Sequence, residues 1–309
     1  MLVSSSGEAV CPREEPVVVE ARVLLAIALT ILPWASAFAG IRAGLQDYSP
    51  AHLTLLRFLV ASSVMLVYAL LVRMPLPERR DWPAIFGLGF LGITVYHTAL
   101  NFGQVTVKAG PAALLIAVGP VFVALMSYFF LRERLSAWGW LGIAVAFTGV
   151  ALIAVGNHPG SFQLEPGALL IVLSALVTSV YFVFQRRLAR KYNPLNFTAY
   201  TIWAGTLPLL VFWPGLFSEV QAASPQATWS VIYLGVLPGG LSYLTWNYAL
   251  SRAPASQVTS FLYVSPVLAT LIAYLWLGEV PGLLALVGGG IALVGVIIVN
   301  TLGRVTRDA

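Results

Sequence analysis

Residues 99–120 of the chain read ALNFGQVTVKAGPAALLIAVGP, and residues 245–266 read TWNYALSRAPASQVTSFLYVSP. The two stretches are 146 positions apart, and an asparagine, an alanine and a proline recur in the same register in both. The same offset aligns further pairs outside them: Gly89 with Gly235, Tyr128 with Tyr274, Glu133 with Glu279, Gly142 with Gly288 and Gly149 with Gly295. Apolar composition alone would align scattered leucines and valines, so the shared register predicts two copies of one unit.

The repeat lies in a very apolar chain. Hydrophobic residues make up 59% of the 309 residues and charged residues only 9%, whereas soluble domains contain about 25% charged residues. The mean hydropathy is +0.87. A soluble fold of this size would not cover its surface with so few charges, but a lipid bilayer removes that need. The composition therefore predicts a membrane protein.

Ten segments of the chain reach the roughly 20 mostly apolar residues that a membrane-spanning helix requires. They are residues 22–43, 51–72, 82–103, 110–131, 137–156, 166–186, 196–215, 228–249, 256–277 and 282–302. The loops between them are short and leave no room for a soluble catalytic domain. We therefore predict an N-terminal tail at 1–21, a first five-helix repeat at 22–156, an external linker at 157–165, a second repeat at 166–302 and a C-terminal tail at 303–309.

The basic residues predict an orientation for this arrangement. If the N-terminus is cytoplasmic, only Arg42 and Lys108 of the 17 lysine and arginine residues fall in outer loops, and Arg57 lies within the second span. Cytoplasmic loops carry such an excess of positive charge, so both termini are predicted to be cytoplasmic. Because each copy has an odd number of spans, the second copy enters the membrane from the opposite side. The predicted fold is thus all-α, with ten transmembrane helices in two inverted five-helix repeats.

Inverted repeats are typical of secondary transporters, whose substrate site lies near the middle of the membrane between the repeats. Residues 22–302 also resemble the drug/metabolite transporter superfamily, in its ten-helix exporter branch. The resemblance rests on Leu56-Arg57-Phe58, on the stretches that contain Asn101 and Asn247, and on Gly119-Pro120 and Ser265-Pro266, each followed by Glu133 or Glu279. It implies export of amino acids, aromatic or other neutral ones, across a bacterial inner (cytoplasmic) membrane. The superfamily also carries nucleotide sugars, triose phosphates, drugs and polyamines, so the substrate stays open.

The candidate substrate-binding residues are the polar and aromatic side chains that fall inside the spans. His97, next to Tyr96, is able to hydrogen-bond a substrate carboxylate or to titrate during transport; the alternative is a histidine that a neighbouring helix satisfies. Aromatic rings would stack on an aromatic substrate or bind a cationic amine, or else they pack against lipid and neighbouring helices. The aromatic candidates are Trp34, Tyr181, Trp203, Tyr243, Trp246 and Tyr263.

A second set of residues is predicted to act as hinges or structural elements. Pro120, Pro266 and the Pro238-Gly239 pair interrupt spans, where a proline removes a backbone donor and bends the helix. Asn101 and Asn247 occupy equivalent places near opposite sides of the membrane, which favours a structural role. Arg57 is expected to extend towards the outer surface rather than to bind a substrate carboxylate. Glycines crowd the fifth and tenth spans and would pack within one chain or form a dimer contact.

Several functional classes are disfavoured. All twelve acidic residues fall in tails, loops or span ends, which argues against a carboxylate-based proton antiport. The sequence has no P-loop, no nucleophile–base pair and one cysteine, so we predict no enzyme activity, no cofactor and no metal. The expected partners are a small-molecule substrate and the bilayer, without nucleic acid, in a monomer or weak homodimer. Facilitated export by alternating access is favoured over a flippase of lipids or lipid-linked sugars and over proton-coupled drug efflux.

Overall fold

The computed structural model describes residues 20–131, 135–155, 165–253, 258 and 261–302. Almost all of the predicted tails and linker, together with Glu133, lie outside these residues. Within the described part of the chain the structure consists of helices and short loops, without a β-strand.

The first repeat contains five helices. They are α1 (Ala21–Gly44), α2 (Pro50–Leu71), α3 (Trp82–Gly89, a π-helical segment Phe90–Val95, and Tyr96–Gly103), α4 (Ala109–Ile116 and Gly119–Leu131) and α5 (Ala137–Val155). The second repeat contains five more. They are α6 (Pro166–Phe184), α7 (Pro194–Leu209), α8 (Pro225–Val236, a π-helical segment Leu237–Leu241, and Ser242–Arg252), α9 (a 3₁₀ segment Phe261–Val264 and Ser265–Leu277) and α10 (Leu283–Thr301). Short helices Arg186–Lys191 and Leu216–Ala222 lie between them.

The predicted all-α fold is confirmed. Seven of the described helices, α1, α2, α3, α4, α6, α7 and α10, are long and apolar enough to cross a membrane, and α5 and α9 contain shorter apolar helices. Helix α8 is less apolar because its second segment carries Ser242, Thr245, Asn247 and Ser251. At about 1.5 Å per residue, the 22 positions of α3 extend about 33 Å, close to the thickness of a bilayer core.

Local sequence sets where several helices begin. Helices α2, α7 and α8 each start with a polar capping residue followed by a proline. Proline is tolerated in the first helical turn because a backbone amide at that position has no partner within the helix. The caps are Ser49, Asn193 and Ser224, and each side chain accepts a hydrogen bond from a backbone amide two or three residues further on.

The two repeats are interleaved. Helix α1 packs against α8 and α9 of the second repeat, and its counterpart α6 packs against α3 and α4 of the first. Likewise α2 packs against α8, while α7 packs against α3. The contacts of one half therefore recur in the other with the halves exchanged, as expected for two copies related by a pseudo-two-fold axis.

The glycines of α5 and α10 pack against each other within one chain. A Cβ atom added to Gly149 would lie 2.4 Å from the backbone oxygen of Gly288, and one added to Gly295 would lie 2.6 Å from that of Gly142. No side chain fits at such distances, so the two backbones approach as closely as glycine allows. The sequence does not decide whether these glycines pack within one chain or between two chains. In the structure they form a contact between the two repeats of one chain.

The π-helical segments of α3 and α8 occupy equivalent positions. Residues 90–95 correspond to residues 236–241 at the repeat offset of 146, and the second π segment spans Leu237–Leu241. Each segment lies near the centre of its helix. π-helical turns are rare and occur mostly at functional sites. The repeat therefore carries the same helical irregularity twice, at mid-height of the bundle.

Polar contacts hold the helix ends together on one side of the bundle, which we call the Arg42 face. Arg42 Nε lies 2.9 Å from a carboxylate oxygen of Glu279, and its Nη1 donates to the carbonyl oxygens of Gln104 and Val105 at 2.8 and 3.0 Å. The other Glu279 oxygen accepts the Ala109 amide at 2.9 Å. These contacts join α1, the α3–α4 loop and the end of α9.

The opposite end, which we call the Lys191 face, carries a second charge cluster. Lys191 Nζ lies 2.5 Å from Asp81 and 2.7 Å from Glu78, whose carboxylate also pairs with Arg80. Tyr192 donates to Asp81 as well. Hydrogen bonding from Lys191 lowers the pKa of both carboxyl groups below their ordinary values. Both acids are therefore ionised at neutral pH.

Candidate functional site

Arg57 is a buried cation in the middle of the helix bundle. It lies about two turns inside α2, is 4% exposed, and its Nε and Nη1 atoms are buried without a hydrogen-bond partner. Its guanidinium carbon lies 5.5 Å from the centre of the Phe58 ring. The hydroxyls of Tyr96 and Tyr243 are close enough to interact with its charge. The expectation that Arg57 extends to the outer surface is therefore wrong.

A glycine of α8 explains why Arg57 is buried. A Cβ atom on Gly235 would lie 2.6 Å from the Arg57 carbonyl oxygen and 2.6 Å from Val60 Cβ. Without that atom, α8 packs directly onto the backbone of α2 and covers this turn. Gly235 is the repeat mate of Gly89, which brings α3 equally close to Thr201 and Gly205 of α7.

His97 and Tyr96 lie on α3 beside Arg57. Tyr96 begins the α-helical segment that follows the π-helical one, and the rings of Tyr96 and His97 are 4.4 Å apart. The His97 ring also lies 4.5 Å from the Phe58 ring of α2. His97 is 9% exposed, and its Nδ1 has no hydrogen-bond partner. The imidazole is therefore held by aromatic contacts while one of its nitrogens remains free to bond.

Trp34, Tyr243 and Trp246 form an aromatic group between α1 and α8. The Trp34 ring lies 5.7 Å from the Tyr243 ring and 5.2 Å from the Trp246 ring. Trp34 Nε1 donates to the carbonyl oxygen of Pro238 at 3.1 Å, inside the π-helical segment of α8. An indole from the first repeat thus satisfies a backbone carbonyl at the helical irregularity of the second.

The aromatic rings on the two sides of this interface are not fully buried. Tyr96 packs against the buried ring of His97 and Tyr243 packs against Trp34, yet both tyrosines keep accessible surface. Trp34 and Trp246 are also only partly buried. We infer that these partly accessible side chains border an internal space between the two repeats. We call the group formed by Trp34, Arg57, Tyr96, His97, Tyr243 and Trp246 the central cluster.

Three of the predicted aromatic residues have their main contacts elsewhere. Trp203 donates from Nε1 to the Ser62 carbonyl oxygen at 3.1 Å, in the contact between α7 and α2. The Tyr263 hydroxyl accepts a hydrogen bond of 2.6 Å from Asn300 of α10. Tyr181 packs on Gly92, in the π-helical segment of α3 that directly precedes Tyr96.

The predicted hinge prolines coincide with breaks in helices. Pro120 and Pro266 each occupy the first turn of the second segment of their helix, α4 or α9, rather than the interior of a continuous helix. Ser179 of α6 donates to the Gly119 carbonyl oxygen at 3.0 Å, at the break in α4. Pro238 and Gly239 lie in the π-helical segment of α8. Their role as hinges stays a prediction.

The two equivalent asparagines have different partners. Asn101 is fully buried and donates to Thr54 Oγ1 at 2.7 Å, which links α3 to α2. Asn247 donates to the Tyr243 carbonyl oxygen at 2.8 Å within its own helix. Both contacts are compatible with the structural role that the sequence indicates.

Two cavities open at the ends of the bundle. One, of about 570 Å³, lies at the Arg42 face and is bordered by Arg42, Tyr48, Lys108 and Glu279. The other, of about 540 Å³, lies at the Lys191 face and is bordered by Arg80, Asp81, Arg187 and Lys191. Both borders are charged, whereas the walls of the central cluster are largely aromatic.

Comparison with known proteins finds similar chains among transporters. The chain matches the EamA-like transporter family at residues 21–155 and again at residues 165–301. It is 46% identical over 275 residues to the uncharacterized transporter YdfC of Bacillus subtilis (strain 168), which covers 89% of this chain and 90% of that protein.

A second relative has a named substrate class. The chain is 40% identical over 281 residues to the probable terminal-alkyne amino-acid exporter of Streptantibioticus cattleyicolor, covering 90% of this chain and 94% of that protein. A solved crystal structure superimposes with a TM-score of 0.59 at 22% identity, covering 92% of this chain and 97% of that one, which supports the fold.

The resemblance to the drug/metabolite transporter superfamily is thereby confirmed. The family matches twice along the chain, its named members are transporters rather than enzymes, and they act on small molecules. Together with the apolar helices, these matches make the protein a multi-pass membrane transporter. The chain belongs to the EamA-like transporter family.

Proposed function

We propose that this protein exports amino acids, aromatic or other neutral ones, across a bacterial inner membrane. The observation that carries the proposal is the central cluster, in which polar and aromatic side chains of the two repeats meet beside the buried cation Arg57. Aromatic walls suit an apolar or aromatic side chain, and His97 and the tyrosine hydroxyls suit its polar backbone groups. The 40% identical amino-acid exporter supports the same substrate class.

Transport would proceed by alternating access. The contacts of the two repeats are equivalent, so an exchange of conformations between them would turn an opening at one face into an opening at the other. The two π-helical segments and the breaks before Pro120 and Pro266 provide places where helices can bend. Because no acidic residue falls deep in a span, we favour facilitated export driven by the amino-acid gradient. The internal pairing of α5 with α10 favours a monomer.

The substrate proposal is tested by transport into liposomes. Purified protein is reconstituted, and uptake of each of the common amino acids is measured with and without a pH gradient, beside liposomes without protein. We expect neutral amino acids to cross faster than in the empty liposomes, and the final level to be independent of the pH gradient. If no amino acid crosses faster than the background, the proposed substrate class is wrong. Accumulation driven by the pH gradient would instead establish proton coupling.

The alternative functions, a flippase and a drug exporter, can be tested in the same liposomes. A flippase would equalise a fluorescent phospholipid between the two leaflets, and a drug exporter would release a cationic dye. We expect neither movement to exceed that of protein-free liposomes. The central cluster holds a cation, Arg57, and borders no acidic side chain among the described residues, which disfavours cationic drugs.

The orientation of the helices can be tested with single cysteines. We propose that the Lys191 face and both termini are cytoplasmic, because most of the basic residues then lie inside. In a Cys11→Ser background, Ser218→Cys on the Arg42 side should react with a membrane-impermeant maleimide in intact cells. Leu76→Cys, in the exposed α2–α3 loop, should react only after the cells are permeabilised. The reverse pattern would contradict the proposed orientation.

Loss of the hydrogen bond between Trp34 and Pro238 is expected to slow transport. Trp34→Phe keeps an aromatic ring but removes the donor to the Pro238 carbonyl oxygen. A lost neutral hydrogen bond of about 1 kcal/mol corresponds to a decrease of roughly fivefold in the transport rate.

Trp203→Phe is the matched control, because Trp203 also donates from its indole to a backbone carbonyl at 3.1 Å, but outside the central cluster. We expect both variants to lose similar thermal stability and only Trp34→Phe to lose transport. Equal loss of transport in both would argue against a special role for the contact between α1 and the π-helical segment.

A further inference from the structure

We propose that the guanidinium of Arg57 binds the carboxylate of the transported amino acid, so that a free carboxylate is required for recognition. The proposal rests on the proposed function, since it specifies which chemical group of an exported amino acid the central cluster recognises. It assigns the polar end of the substrate to α2 and leaves the apolar end to the aromatic rings.

The balance of charge in the spans favours a carboxylate as the partner of Arg57. Arg57 is 4% exposed in a helix long and apolar enough to span a membrane. A cation in that position needs a negative partner or water, because an isolated buried charge is strongly unfavourable. All twelve acidic residues of the chain fall in tails, loops or span ends. The protein therefore supplies no carboxylate to Arg57 from within the spans, whereas an amino-acid substrate supplies one.

The hydrogen-bond donors around Arg57 are suited to an anion. Arg57 Nε and Nη1 are both buried and unpaired, and an arginine donates hydrogen bonds but accepts none. The hydroxyls of Tyr96 and Tyr243 lie within range of its charge, from α3 and α8 respectively. His97 Nδ1 is also unpaired. An anion beside Arg57 would thus meet donors from both repeats.

Aromatic rings surround Arg57 and suit the apolar part of an amino acid. Phe58 lies against the guanidinium, and the Trp34, Tyr243 and Trp246 rings group together on the α1 and α8 side. Arg57 is the one lysine or arginine that lies more than one helical turn from either end of a predicted span. A single cation with aromatic walls matches one carboxylate attached to an apolar group. A phosphate ester of comparable size would carry more negative charge into an environment with one cation and no further counter-charge.

The requirement for a carboxylate can be tested on the unmodified protein. Transport of radiolabelled L-phenylalanine into liposomes is measured with L-phenylalanine, 3-phenylpropionate, L-phenylalaninamide, phenethylamine or phenyl phosphate as competitor. We expect the two carboxylates to compete and the amide and amine to compete at least about tenfold more weakly, as for loss of a hydrogen bond to a charged group. Phenyl phosphate should compete less well than 3-phenylpropionate. Equal competition by the amide or the amine overturns the proposal.

Variants of Arg57 assign the effect to this residue. Arg57→Gln should reduce the preference for 3-phenylpropionate over phenethylamine by at least about tenfold, and Arg57→Lys, which keeps the charge, should restore part of it. The matched control is Arg252→Gln. The Arg252 guanidinium lies 5.5 Å from the centre of the Tyr248 ring, as that of Arg57 does from Phe58, but Arg252 is exposed at the end of α8. Arg252→Gln should leave the preference unchanged.

Failure of this inference can be told apart from failure of the proposed function. If the unmodified protein transports no amino acid, the proposed function fails. Suppose that the unmodified protein is active and that Arg57→Gln slows phenylalanine transport without changing the relative strength of the competitors. In that case Arg57 has a structural role only and this inference fails. If Arg57→Gln does not fold, as judged by gel filtration in detergent, the comparison of carboxylate with amide and amine on the unmodified protein still decides.

Discussion

Replacing Gly149 with leucine is expected to prevent the protein from folding stably. A Cβ atom at this position would lie 2.4 Å from the backbone nitrogen of Ala292 and 2.4 Å from the backbone oxygen of Gly288. Backbone atoms of a packed helix do not move aside as a flexible side chain does, so α5 and α10 would have to separate. Overpacking costs about 1–3 kcal/mol when side chains can adjust, and we expect the upper end or more here.

The measurement is gel filtration in detergent followed by thermal unfolding. Gly290→Leu is the matched control, because Gly290 lies on α10 with nothing within 4 Å of an added Cβ. We expect Gly290→Leu to elute as the unmodified protein does and Gly149→Leu to aggregate or to unfold at a clearly lower temperature. Equal stability of the two variants would show that α5 and α10 do not pack closely.

Replacing Glu279 with alanine is expected to open the Arg42 face. Its carboxylate accepts Arg42 Nε on one oxygen and the Ala109 amide on the other, and both side chains of the ion pair are largely buried. Removal of the carboxylate leaves a partly buried cation and an amide without their partner. Exposed ion pairs contribute less than 1 kcal/mol and buried ones about 3–5 kcal/mol when broken. We take about 1–2 kcal/mol for this pair, or a roughly 5- to 30-fold shift towards the open state.

Reactivity of a cysteine that borders the cavity of this face reports the shift. In a Cys11→Ser background, Gln46→Cys should react several-fold faster with an impermeant maleimide when Glu279→Ala is also present. Glu78→Ala is the control, since its carboxylate pairs with Lys191 and Arg80 at the opposite face and is half exposed. It should not accelerate the reaction. An unchanged rate with Glu279→Ala would mean that the Arg42 contacts do not hold this face closed.

The sequence predicts the helices well because hydropathy and the repeat report local properties. The span at 82–103 agrees with the described extent of α3, and the offset of 146 also places the two π-helical segments at equivalent positions. The π-helical geometry itself was not predicted. Pro238 and the glycines after it give a local reason for it in α8, but the α3 segment Phe90–Val95 has no proline and a single glycine.

The candidate site was harder to predict because depth in a span does not say which neighbour a side chain meets. Trp34 and Trp203 both fall inside spans, yet Trp34 joins the central cluster and Trp203 bonds to Ser62 of α2. The position of Arg57, only two turns inside α2, favours the surface as the place of its side chain. Its burial depends on α8 packing at Gly235, a contact between residues 178 positions apart. The lack of any acidic residue within the spans was the available signal that Arg57 needs an external partner.

An experimental structure of the protein with bound L-phenylalanine would show whether the amino acid binds beside Arg57. We expect density for L-phenylalanine between the two repeats, with its carboxylate within about 3 Å of an Arg57 nitrogen and its ring against Trp34, Tyr243 or Trp246. Density for the amino acid in the cavity at the Arg42 face or at the Lys191 face, with the central cluster packed shut and Arg57 bonded to protein groups alone, would contradict this expectation.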